Sequence, residues 1–226
     1  MKTLFLAAHP DDEVLGCGGT IARLASEGAD VTIAILGQGV MSRHSGDQSS
    51  ASSALAALRA SSTRSANILG ASAVRHFDLP DNRFDSVDLL DIVKLIELLA
   101  EEVRPAVVYT QHGGDLNVDH RLLFQAAMAA FRPLPGTSVT ALYAYEVASS
   151  TEWSFAQFAP RFEPDTFVDI SAFLPTKLQA LAAYESELRD YPHPRSLKAV
   201  EMQAHDRGAR TGCVAAEAFA TVWRRV

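Results

Sequence analysis

Two polar blocks hold the residue types that hydrolytic chemistry needs. The first, His9-Pro10-Asp11-Asp12-Glu13, ends the apolar run over residues 4–8. The second is Gln111-His112-Gly113-Gly114-Asp115-Leu116-Asn117-Val118-Asp119-His120. Imidazole nitrogen and carboxylate oxygen suit a catalytic zinc, which takes three protein ligands and keeps one position open. His9 and Asp12 can be aimed at one point from a strand end, and His120 can complete the set from the second block. Adjacent carboxylates at 11 and 12 allow a division of labour, in which one binds the cation and the other takes a proton from water. Zinc lowers the pKa of that water from about 15.7 to roughly 7, and the hydroxide attacks a carbonyl polarised by the same ion.

Each signal also has a plainer explanation. An Asp pair after a strand can cap a helix and complement its dipole, and a lone histidine is usually an ordinary hydrogen-bonding group. Their joint placement at two strand ends favours the metal reading.

The elements that must position these blocks alternate in the first two thirds of the chain. Residues 4–8 and 31–36 read as buried strands around a helix carrying Val14, Cys17, Ile21 and Leu24, with Gly28 as its stop. Further strands are expected at 74–77 and 106–110. Helices are expected over about 48–70, from 89 to the break at Pro105, and through Leu122–Ala130, numbered 122–130. Ala141–Tyr145 and residues 166–170 suit strands, and 171–188 and 195–209 suit helices. The pattern predicts one α/β domain over 1–226, a Rossmann-like three-layer sandwich with a mostly parallel sheet and an irregular C-terminal part. In such sheets ligands bind outside the carboxyl ends of the strands, where both polar blocks fall.

His9 to Glu13, continued by Leu15-Gly16-Cys17-Gly18-Gly19-Thr20, resembles the opening signature of the PIG-L/LmbE-like deacetylases. The stretch Asp115 to Arg121 resembles that family's second metal motif. Pro192-His193-Pro194-Arg195-Ser196, Arg207-Gly208 and Ala216-Glu217-Ala218-Phe219 are similar to a C-terminal pattern of one bacterial branch. The resemblance implies a zinc-dependent hydrolase that removes an N-acetyl group from an amino sugar or its conjugate. It implies one Zn2+ per chain, another divalent ion being the alternative, and a homo-oligomer.

Carried over by position, His9, Asp12 and His120 are the metal ligands and Asp11 is the general base. Many relatives place a histidine where this chain has Asn117, which can donate a hydrogen bond but cannot protonate a leaving amine. His193 is the candidate acid, with His112 behind it; the alternative for His193 is a Pro-flanked loop residue. Arg43 and Asp81 are the substrate-binding candidates, with Arg83 beside them as either a rim contact or a surface salt bridge. Glu146 and Trp153 are further candidates for the lining.

Composition narrows the partners. With 226 residues and a net charge of −7, the chain has no basic field for nucleic acid. Its apolar runs fall short of the roughly 20 residues a membrane span needs, and residues 4–8 are too few for a signal-peptide core. Two distant cysteines, Cys17 and Cys213, suit a reducing cytoplasm. Two competing readings remain. A dinucleotide-binding fold would want a small residue where Ile21 closes the Gly16/Gly18 pattern. A metal- or sugar-binding module without hydrolase activity would need only one of Asp11 and Asp12.

Overall fold

The computed structural model describes residues 1–39 and 48–226, with residues 48–51 described by backbone alone. The expected alternation is present as β1 (Lys2–Ala7), α1 (Asp12–Ser26), β2 (Asp30–Gly37), α2 (Gln48–Leu69) and β3 (Ala73–Leu79). It continues with α3 (Leu89–Val103), β4 (Val107–Gln111), α4 (Val118–Ala130) and β5 (Ala141–Tyr145). The remainder supplies β6 (Thr166–Asp169), α5 (Leu174–Ala182), α6 (Leu197–Ala209) and β7 (Ala216–Arg224).

All seven strands join one sheet in the order β3-β2-β1-β4-β5-β7-β6. β1 through β5 are parallel, while β7 runs antiparallel between β5 and β6. Chain order reverses at the β1/β4 boundary, so the crevice of this doubly wound sheet opens at their carboxyl ends. Both polar blocks start there.

Strand periodicity divides the core into two layers. Phe5 and Ala7 of β1 face Val14, Ile21, Leu58 and Leu181 on the α1, α2 and α5 side. Leu4, Leu6 and Ala8 face Ile92, Ile96 and Leu123 on the α3 and α4 side. Helices thus cover both faces, as a parallel sheet requires.

The C-terminal part is more regular than its sequence suggests. Strand β7 has no counterpart among the expected elements, because Ala and Glu at its start are poor strand formers. It forms because its main chain is paired on both sides, with Phe219 opposite Tyr145 and Thr166. The glycines after the first motif serve packing rather than phosphate binding. A Cβ at Gly16 would overlap the Tyr145 ring and come within 2.9 Å of the Glu146 carbonyl oxygen, and one at Gly19 would meet Ile170 at 2.6 Å. Close contact of α1 with the sheet fixes where its N-terminal motif points.

Candidate metal centre and active site

The turn from β1 into α1 places Asp11 in a left-handed conformation, φ 96° and ψ −25°. That conformation costs a non-glycine residue about 1–3 kcal/mol. Asp11 sits at the N-cap but makes no side-chain cap bond, so helix capping does not explain it. Its amide donates to Glu13 Oε2 at 3.2 Å, and Glu13 Oε1 accepts the Tyr184 hydroxyl at 2.5 Å. Burial pushes the Glu13 carboxyl up to about 8.

Three donor atoms meet beside this turn. His9 Nδ1 lies 3.4 Å from Asp12 Oδ2, and His120 Nε2 lies 3.3 Å from that oxygen and 3.3 Å from His9 Nδ1. A cation bonded at about 2.0–2.1 Å to three corners of a tetrahedron would space those corners about 3.3–3.4 Å apart. The donor triangle therefore fits a zinc-sized ion. Asp12 Oδ1, the carboxylate oxygen outside that triangle, is buried without any hydrogen-bond partner, so the carboxylate keeps an oxygen open to a cation. An orphaned buried carboxylate oxygen is costly unless something binds it. Asp12 Oδ2 is held in place by the Gln111 side-chain amide at 2.9 Å and the His9 amide at 2.8 Å. Burial opposes the Asp12 charge, but His120 and His9 keep the carboxyl well below the usual range.

Each histidine turns its other nitrogen toward a carboxylate. His9 Nε2 is 2.9 Å from Asp119 Oδ2, and His120 Nδ1 faces Asp115 Oδ1 at 3.2 Å. Such backing fixes ring orientation and tautomer and raises ligand basicity. Asp119 is itself held by the Phe84 amide at 2.9 Å, and Asp115 by Ser150, by Thr151 Oγ1 at 2.6 Å and by the Asn117 amide at 2.8 Å. Burial opposes protonation of both imidazoles, yet the carboxylates outweigh it. Asp119 and Asp12 raise His9 to about 10, and Asp12 and Asp115 raise His120 to about 9.

A second donor group, His9 with Asp81 and Asp119, also clusters closely. It has fewer free atoms: both Asp119 oxygens are engaged, and Asp81 Oδ1 accepts the Asn82 amide at 3.1 Å. The His9–Asp12–His120 group differs in keeping one carboxylate oxygen, Asp12 Oδ1, buried and unpartnered.

The other expected residues divide. Asp81 is buried, 3.6 Å from His9 Nε2, so it packs against that histidine instead of standing on an open rim. Arg83 is exposed one position before Phe84. Arg43 lies outside the described residues. Asn117 caps α4, its Oδ1 accepting the Asp119 amide at 2.8 Å, and its Nδ2 donates to Asn82 at 2.9 Å. His112 packs against Phe124 and Phe162 and accepts the Gly114 amide, as a structural residue would. His193 stacks edgewise on Trp153, and burial with Arg195 and Arg189 lowers its pKa.

Arg195, named in the sequence only as part of a motif, reaches the centre. Its NH1 donates to Asp11 Oδ2 at 3.2 Å. Burial pushes Asp11 up to about 7 against the opposing charge of Arg195.

Residues 4–131 match the family model PIG-L, described as GlcNAc-PI de-N-acetylase. The chain belongs to the PIG-L family. A de-N-acetylase cleaves an amide, which places this PIG-L protein among the amide hydrolases. An uncharacterized deacetylase of Escherichia coli K12 is 28% identical over 195 residues, 81% of this chain and 90% of the relative. The diacetylchitobiose deacetylase of Thermococcus kodakarensis is 29% identical over 191 residues, 82% of this chain and 70% of the relative. A 4-carboxy-2-hydroxymuconate hydratase of Pseudomonas putida KT2440 shares the fold at TM-score 0.78 and 24% identity, covering 100% of this chain and 98% of its own. That likeness bears on the fold alone, since one fold can host more than one reaction. Among the described residues no helix is long and apolar enough to cross a membrane.

Proposed function

We propose that this PIG-L protein is a zinc-dependent N-deacetylase that removes an acetyl group from an amino sugar or amino-sugar conjugate. The observation that carries the reading is the near-equilateral triangle of His9 Nδ1, Asp12 Oδ2 and His120 Nε2, each edge 3.3–3.4 Å, beside an uncapped Asp11. Matching deacetylases that act on N-acetylated sugars support the substrate class. When bound, the cation supplies Lewis acidity, making water a ready nucleophile near neutral pH and polarising the amide carbonyl.

His9, Asp12 and His120 would hold the cation, with Asp119 and Asp115 fixing the two rings. Asp11 accepts a proton from the attacking water and returns it to the departing amine, which is otherwise a very poor leaving group. A carboxyl near pKa 7 suits both halves of that cycle at neutral pH. Asn117 does not titrate and His193 packs edgewise against Trp153, so Asp11 serves as the proton carrier.

The test is a panel of N-acetylated sugars, including N-acetylglucosamine and diacetylchitobiose, with parallel detection of acetate and free amine. Equimolar release of both from at least one sugar is expected. Water addition to an unsaturated acid, with no amine released from any sugar, would reassign the protein as a hydratase.

A further inference from the structure

Asp11 has two inequivalent carboxylate oxygens. Oδ2 accepts Arg195 NH1 at 3.2 Å, whereas Oδ1 is buried with no hydrogen-bond partner. The Arg195 guanidinium is anchored elsewhere too: Nε donates to Ser149 Oγ at 2.8 Å, and NH1 lies 3.6 Å from Glu187 Oε2. Its backbone is equally fixed. The Arg195 amide donates to His193 Nδ1 at 3.1 Å, and Ser196, the next residue, caps α6 by accepting the Ala199 amide at 3.1 Å. A planar fork held at three points can set the orientation of a carboxylate in a way a flexible ammonium cannot.

We propose that Arg195 is a positioning residue: by pinning Asp11 Oδ2 it dedicates Oδ1 to the reacting water. The inference rests on the reading of Asp11 as the general base. It also gives the stretch 192–196 a task on the reaction, through Arg195 and not through His193. Misplacing a reacting group by about an ångström can cost on the order of 10²-fold in rate. Loss of the pin should therefore lower kcat while leaving the cation and the substrate's affinity in place.

The experiment is a double-mutant cycle on the zinc-loaded protein, using the sugar turned over fastest in the panel. Asp11→Asn, Arg195→Ala, Arg195→Lys and the Asp11→Asn/Arg195→Ala pair are compared for kcat, KM and zinc content. Arg195→Ala is expected to lose about 10- to 100-fold in kcat with KM and zinc unchanged, and free guanidinium should restore part of it. Arg195→Lys should fall between, and also serves if the alanine variant does not fold. In the Asp11→Asn background, removing Arg195 should cost nothing more. Independent, multiplying losses, or a near-native kcat in Arg195→Ala while Asp11→Asn is inactive, would overturn the pin alone. Near-native activity in Asp11→Asn would instead overturn the base assignment beneath it.

Discussion

Asp11 and Asp12 are neighbours in sequence with opposite electrostatics. Asp12 is held ionised by two imidazoles, while burial lifts Asp11 to about 7. Asp12→Ala should consequently lose the cation, whereas Asp11→Asn should keep it and lose about 10²–10⁴ in turnover; metal analysis of both purified variants checks this. A base must be unprotonated to work, so kcat/KM should rise with pH through the Asp11 pKa. That acid limb should vanish from the residual rate of Asp11→Asn. At the backing carboxylates, Asp119→Asn should weaken metal affinity by roughly 10- to 100-fold, measured by chelator competition. The candidate triad His9, Asp12 and His120 can be picked out in sequence because histidine and aspartate at two strand ends have few common structural uses, and the fold brings the three together. The backing role of Asp115 and Asp119 is not readable from sequence, since a loop aspartate can equally be a turn residue. The role of Arg195 is not readable from sequence, because its partner Asp11 is 184 positions away and the two meet only in the folded chain.

The helix α1 carries the first motif, and a buried ion pair grips its middle. Lys177 Nζ donates to the Leu15 carbonyl at 2.9 Å and meets Glu217 Oε1 at 2.6 Å, while Glu217 accepts the Gly19 and Thr20 amides at 2.9 and 2.7 Å. The pair ties α1 to α5 and β7, and both side chains are buried. Glu217→Ala should destabilise the fold by about 3–5 kcal/mol, because it strands a buried ammonium. Urea unfolding of that variant and of Glu217→Ala/Lys177→Met checks this, with the double variant recovering part of the loss. Helices and central strands were readable from their periodicity, as with Ile92, Ile96 and Leu99 on α3. Strand β7 was not, because its pairing partners decide its conformation and its own side chains do not.

Across the whole molecule, the reversal of strand order between β1 and β4 creates the crevice, and the two motifs are the chain's exits from those strands. A cation joining both loops should stabilise the native state alone, by about 2.7 kcal/mol at a concentration 100 times its Kd. For a chain of this size that is roughly a 5–10 °C rise in Tm, absent in Asp12→Ala. What composition could say at this scale was mainly exclusion, since a net charge of −7 argues against nucleic acid without choosing a sugar. The most direct test of metal-dependent deacetylation is zinc titration of chelator-stripped protein, with acetate release from the best sugar as the readout. Activity should start at background and reach its plateau at one zinc per chain. Full activity in the metal-free protein would contradict the assigned centre.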